Sequence, residues 1–158
     1  PCYNAYIQLG LHYQTLGRVT RAIQAFERAA EIDSAAYVPY SDLGSLYRDL
    51  KVYDKAEEYL RKALSILPNN PSVYTKLFEL YFYDLKHPPH IMGPFFEEAL
   101  QNTGHDANIA RLFGFYLEKI NDPWAALDIW QAILQQEPKN PIVISKVDQL
   151  KKQVEATK

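Results

Sequence analysis

Apolar residues recur along this chain at helical spacing, and the whole pattern then repeats. Tyr6, Leu9, Gly10 and Tyr13 stand at i, i+3, i+4 and i+7, which is one face of a 3.6-residue helix. The same face returns as Tyr40, Leu43, Gly44 and Tyr47, then as Tyr74, Leu77, Phe78 and Tyr81, and more weakly as Ala110, Phe113, Gly114 and Leu117. Leu9, Leu43 and Leu77 are 34 residues apart, whereas Leu77 and Phe113 are 36 apart, so the third unit carries two extra residues. Ala22, Ala56 and Ala126 keep the same phase in the second half of their units.

The spacing predicts paired helices over about 3–16 and 19–32, then 36–50 and 53–67, with Gly17 stopping the first. Asn70-Pro71, Asp122-Pro123 and Asn140-Pro141 each read as a helix start. The polar side chain caps the first turn, and proline sits where its missing N–H is harmless. Connections of a few residues make successive helices antiparallel neighbours. No run alternates with the period of a strand. Gly10 and Gly44 fall mid-helix, where glycine costs roughly 1 kcal/mol against alanine. They therefore mark close helix approach, with Ala22, Ala56 and Ala126 as the expected partners. The Tyr, Leu, Phe and Ala stripe reads as interhelical core rather than a cofactor box.

These residues resemble the tetratricopeptide repeat, whose pattern runs W-x2-L-G-x2-Y, A-x3-F, P over 34 residues. Residues 3–36 supply Tyr6, Leu9, Gly10, Tyr13, Ala22, Phe26 and Ala29; residues 37–70 supply Tyr40, Leu43, Gly44, Tyr47, Ala56, Leu60, Ala63 and Pro68. Residues 71–106 keep Tyr74, Leu77, Tyr81, Phe96 and Ala99, with Phe78 replacing the glycine; residues 107–140 keep Phe113, Gly114, Leu117, Ala126, Trp130 and Pro138. The resemblance implies an all-α fold, a right-handed superhelical array (α-solenoid) of antiparallel helix pairs. Four repeats and a cap would form one domain over 1–158.

Two segments depart from the pattern. Lys86 to Pro94 holds three prolines and a glycine, so no regular helix is expected before about Pro94. The third B helix is then expected over about 94–102, and 86–94 reads as a tolerated surface insertion. His87 and His90 lack a third ligand nearby, and no metal site is expected there. The tail, about 141–156, carries Val143, Val147, Leu150 and Val154 on one narrow stripe. Asp148 and Lys151 stand where the repeat would have its glycine and tyrosine. That combination reads as a solubilising cap helix.

Composition narrows the function classes. Seventeen Lys and Arg against nineteen Asp and Glu give a net charge of −2, which argues against nucleic acid and against an acidic membrane surface. No apolar run is long enough to insert into a membrane. Cys2 is the only cysteine, so no internal disulfide can form. The chain begins with Pro1, which reads as a processed or excised piece. The cytoplasm is the favoured compartment, with the periplasm left open. There is no phosphate loop, nucleophile elbow or HExxH. Glu57-Glu58 and Glu97-Glu98 point to different helix faces and read as solvated surface. No catalysis, metal or cofactor is expected.

The resemblance implies a concave groove lined by positions 2, 5, 9 and 12 of each unit. These are Asn4, Ile7, Leu11 and Gln14; Val38, Ser41, Ser45 and Arg48; Ser72, Thr75, Glu79 and Phe82; Asn108, Arg111, Phe115 and Glu118. Arg48 and Arg111 can fork onto carboxylates, and Phe82 and Phe115 can anchor apolar side chains. The carboxylate clamp of chaperone-binding members is absent: its positions read Ile7, Leu11, Asp42, Ser72 and Lys76. The asparagine ladder of glycan-transferase members is absent too, with Gln8, Asp42, Lys76 and Leu112 in its place. The expected function is a non-catalytic adaptor that holds a peptide or helix of another protein in the groove. The alternative is a scaffold that self-associates through the exposed edge of the first repeat.

Overall fold

In the computed structural model, residues 2–156 are described; Pro1, Thr157 and Lys158, the ends of the expected domain, lie outside the described residues. The described residues are helical and contain no strand. The chain divides into two compact units, Pro1–His87 and Pro88–Lys158. The boundary falls inside repeat three, the repeat with the extra residues.

The first unit contains α1 (Tyr3–Thr15), α2 (Val19–Ile32), α3 (Val38–Asp49), α4 (Tyr53–Ile66) and α5 (Pro71–Glu79), which runs on into a π-helical turn, Leu80–Asp84. Each helix packs against the next in sequence. The second unit contains α6 (Pro89–Asn102), α7 (Ala107–Lys119), α8 (Pro123–Gln136) and α9 (Pro141–Glu155), again packed in order. The Asn70, Asp122 and Asn140 side chains accept hydrogen bonds from first-turn amides, as the sequence predicts. Asp106 does the same for α7.

The glycines set the spacing within each helix pair, and the expected alanine partner is met only at Gly44, where a Cβ would stand 3.2 Å from Ala56 C=O; the nearest atoms belong to larger side chains. A Cβ on Gly10 would stand 2.6 Å from the Phe26 ring, one on Gly44 2.6 Å from Leu60 Cγ, and one on Gly114 2.7 Å from Trp130 Nε1. The large residue one turn after each alanine fills the groove that glycine opens. Ala22, Ala56 and Ala126 are fully buried alongside. Ile7, Ala22, Phe26, Ala29, Leu43 and Leu46 form one core cluster, with Tyr3, Tyr6, Tyr13 and Val38 packed against it. Burial of a ring such as Phe26 stabilises the fold by about 2–3 kcal/mol.

Leu9 departs from the expected core. It is 38% exposed, whereas its counterparts Leu43 and Leu77 are 1% and 0% exposed. The preceding helix covers each of those two, α2 over repeat two and α4 over repeat three.

The two extra residues of repeat three can be placed. One is absorbed in the π turn, which closes on Leu85 N–H to Leu80 C=O at 2.9 Å. The other lengthens the link to α6, after which Met92 occupies the alanine register and is fully buried. The expectation of no regular helix before Pro94 is therefore corrected, because α6 starts at Pro89. Pro89 occupies the first turn, where no N–H is needed. Pro94 lies inside the helix, following Gly93, which has no Cβ to clash with the proline ring. The acceptor that loses its donor belongs to exposed His90.

The stripe on α9 is buried as expected: Val143, Val147, Leu150 and Val154 face inward. Its opposite side carries Ser145, Asp148, Gln149 and Lys152, and all four are exposed.

The turn between paired helices needs a left-handed residue. Gly17, Lys51 and Asn121 all have φ near +60°. After each one, the next amide reaches back to Tyr13, Tyr47 or Leu117 C=O, which closes the helix end in a Schellman turn. Lysine pays a steric cost there that glycine avoids. Lys51→Gly is therefore expected to stabilise the fold by about 0.5–1 kcal/mol, the left-handed strain relieved less the entropy of glycine. Urea melts would measure it, and a loss of stability would count against the left-handed assignment.

Candidate functional site

Within the first unit, the A helices α3 and α5 share a recess of about 410 Å³. Five of the residues expected to line a groove line it: Ser45, Arg48, Ser72, Thr75 and Glu79, together with Asp49, Leu60 and Lys76. The hydroxyls of Ser45 and Thr75 bond back to Ser41 and Pro71 C=O on their own helices, at 3.1 and 3.0 Å. They are satisfied locally and leave room in front of them.

Two sets of ionic contacts tie the A helices together. Lys76 Nζ on α5 donates to Ser41 Oγ at 2.7 Å and to Ser41 C=O at 3.3 Å, and stands 3.7 Å from Asp42. Burial raises the Asp42 carboxyl above its ordinary range, and the Lys76 charge only partly offsets this. Arg48 on α3 donates to Glu79 and to Asp84. Burial would lower the Arg48 guanidinium, but Asp84 and then Glu79 outweigh it and hold it above its ordinary value.

The π turn makes that double grip possible. In an α-helix of 3.6 residues per turn, residues five apart point roughly 140° away from each other. The wider i→i+5 turn brings them nearly into line. Glu79 and Asp84 are five apart, straddle the turn, and both reach one guanidinium. The same turn exposes Tyr83, which packs edge-on against Phe82 at 4.9 Å, while Phe82 stacks on Phe78 at 5.3 Å. The sequence reading missed Asp84 and Tyr83, because only the insertion hinted at an altered helix.

Other groove assignments change. Ile7 is buried in the core cluster and does not line a groove, because position 5 of the first unit faces Leu43 and Leu46. Ser41 is buried and bound by Lys76. Asn4, Leu11 and Ser72 are exposed; Gln14, Val38 and Phe82 are half-buried. Glu57 is not solvated surface. It accepts a hydrogen bond from the Tyr81 hydroxyl, which also accepts from Arg61 Nε and Nη2. Burial, followed by the bond to Glu57, pushes the Tyr81 hydroxyl up.

In the second unit, Arg111 on α7 donates to Glu137 at 2.5 Å and to Asn108 at 3.2 Å. Hydrogen bonds from Asn140, then from Arg111, hold the Glu137 carboxyl below its ordinary range. Glu118 links three helices by accepting from Trp130 Nε1 on α8 and Lys146 Nζ on α9, both at 2.9 Å. Phe115 lies half-buried, with Lys119 Nζ 5.2 Å from its ring centre. Both arginines expected to meet a partner's carboxylates already have carboxylates of their own. Among the described residues, no group of three or more potential ligands could hold a metal ion, and no helix is long and apolar enough to cross a membrane.

Comparison with known proteins supports the repeat pattern. Residues 2–69 match the family model for the tetratricopeptide repeat. No curated protein matches the chain. Among solved structures, yeast Tom70 superposes with a TM-score of 0.70 at 25% identity, over 89% of this chain and 28% of Tom70. MamA superposes with a TM-score of 0.67 at 16% identity, over 94% of this chain and 80% of MamA. YrrB, described as a TPR protein with an unusual peptide-binding site, superposes with a TM-score of 0.62 at 21% identity, over 95% of this chain and 76% of YrrB. The MamA and YrrB likenesses show the fold alone.

Proposed function

We propose that this chain, a member of the tetratricopeptide repeat family, is a non-catalytic adaptor, acting as one module over 1–158, that holds an extended or helical segment of a partner protein against its A helices. Proteins of this fold generally mediate protein–protein interactions. The observation that carries the reading is the α3–α5 recess, where Ser45, Ser72 and Thr75 leave space between charged side chains. Such a surface suits a peptide whose backbone and side chains meet polar walls.

The charges also indicate which segment fits. Arg48 and Lys76 are the cations around the recess, and each is engaged by acids. Asp49 and Glu79 line the recess beside them, and Asp42 and Asp84 stand behind the lining as ion-pair partners of Lys76 and Arg48, so four acids surround two cations. A segment carrying Lys or Arg complements this wall better than an acidic one. Charge reversal at Arg48 is a poor probe, because it would break the protein's own ion pairs.

Ser72 is the cleaner position: it is exposed and lines the recess, and the hydrogen bond it makes to Asn70 comes from its backbone amide, which a substitution keeps. Selection from a displayed random-peptide library is expected to enrich peptides rich in Lys and Arg. Ser72→Tyr, which fills the recess, should weaken them by roughly tenfold or more. Calorimetry on the selected peptides would measure it. No enrichment, or enriched peptides that bind Ser72→Tyr as well as the parent, would count against the groove.

A further inference from the structure

The outer face of repeat one corresponds, position for position, to a face that is covered in repeat two. In repeat two, Tyr40, Leu43 and Tyr59 line a cleft whose other wall is Glu27, Ala30 and Glu31 of α2. Lys62 lies over the Tyr40 ring at 4.4 Å, Lys55 lies over Tyr47 at 4.9 Å, and Glu27 is close enough to act on the Tyr59 hydroxyl. Thirty-four residues earlier, the same positions hold Tyr6, Leu9, Tyr13, Arg21, Ala25 and Arg28. They line a recess of about 280 Å³ that no described helix covers. Arg21 likewise lies over the Tyr13 ring at 5.7 Å, and Arg28 stands near enough to the Tyr6 hydroxyl to act on it. Arg28 also pairs with Glu31 of its own helix, but both are largely exposed, and such a pair holds little.

Two features differ from repeat two, and both point to what fits. Ala25 replaces Tyr59, so no ring stands where repeat two stacks Tyr59 on Tyr40 and Tyr47. Arginines replace both lysines, which favours forked contact with carboxylates. We propose that this face binds an acidic amphipathic helix of a partner protein, seated as α2 sits on repeat two. It would place its carboxylates toward Arg21 and Arg28 and a bulky apolar side chain over Ala25. Within this chain, α2 bears the matching acid–alanine–acid pattern, and repeat two already occupies it.

The probe is a fluorescein-labelled peptide of residues 18–35 carrying Arg21→Gln and Arg28→Gln, which leaves the acidic docking face of α2 intact. It would be titrated into the whole chain and followed by anisotropy, with the mass of the free chain measured by light scattering. Saturable binding is expected. Leu9→Asp and, separately, Arg21→Glu with Arg28→Glu should each weaken it by roughly tenfold or more while leaving the helical circular dichroism unchanged. Ser72→Tyr should bind the peptide like the parent, which separates this face from the α3–α5 recess. Absence of saturable binding, or equal binding by these variants, would overturn the proposal. So would a free chain that dimerises through this face, with Leu9→Asp restoring the monomer.

Discussion

Gly44→Ala is expected to destabilise the protein by about 1–2 kcal/mol. Two effects oppose each other at this position. In a helix interior, alanine is better than glycine by roughly 1 kcal/mol. The added Cβ, however, would lie 2.6 Å from Leu60 Cγ, 2.8 Å from Leu60 Cδ2 and 3.2 Å from Ala56 C=O. Leu60 is fully buried, so it cannot swing away without disturbing its neighbours. Overpacking of this kind costs about 1–3 kcal/mol even after relaxation, and here α3 must also be pushed off the backbone of α4. Sterics therefore outweigh propensity. Leu60→Ala alone should cost about 2–4 kcal/mol through the cavity it leaves. In the double variant the new methyl occupies part of that cavity, so the two losses should fall short of additive by about 1–2 kcal/mol. Urea denaturation of the four proteins closes the cycle. If Gly44→Ala raised stability, as propensity alone would demand, the close approach of α3 and α4 would be disproved.

The same contact explains what could be read from the sequence. A glycine kept mid-helix at a fixed phase in three repeats is legible, because only close packing makes its cost worthwhile. The expected alanine partner is present only in part: Ala56 C=O does approach Gly44, but Phe26, Leu60 and Trp130 lean furthest into the glycine notch, which pairing small residues with small ones does not reveal. Helix starts at Asn70, Asp122 and Asn140 were legible because capping is local. Leu9 was not, since its burial depends on whether another helix covers it. The helix through Pro94 was missed because Gly93 was counted with the prolines as a breaker, whereas directly before Pro94 it is the residue that lets the helix continue. Ser45, Ser72 and Thr75, expected from the repeat positions to face one way, do line one recess. The sequence could not show that Arg48 is held by Glu79 and Asp84, because at α-helical spacing those two acids do not share a side.

Removal of Arg48 tests that last point directly. Arg48→Met is expected to destabilise the protein by about 2 kcal/mol at low salt, in line with losing hydrogen bonds between charged groups that are partly buried. The Arg48 and Asp84 side chains are about a quarter exposed and Glu79 rather more, so part of the interaction is already screened by solvent. Without the guanidinium, the π turn holds two carboxylates on one side of a helix with no counter-charge. The turn should then open more often. Hydrogen exchange at the Leu85 and His87 amides, which bond to Leu80 and Tyr81 C=O, should accelerate. The loss should shrink as salt is added, because the carboxylates that remain repel each other through solvent. Adding Glu79→Gln and Asp84→Asn to Arg48→Met removes the stranded charges and should recover most of the stability. If Arg48 served only to pack its aliphatic stem, methionine would substitute well and salt would have no effect. If the triple variant were as unstable as the single one, the carboxylates would not be the cause. Recovery in the triple variant together with slower exchange would tie the extra residue of repeat three to the ionic grip that joins α3 to α5 and fixes the wall of the recess.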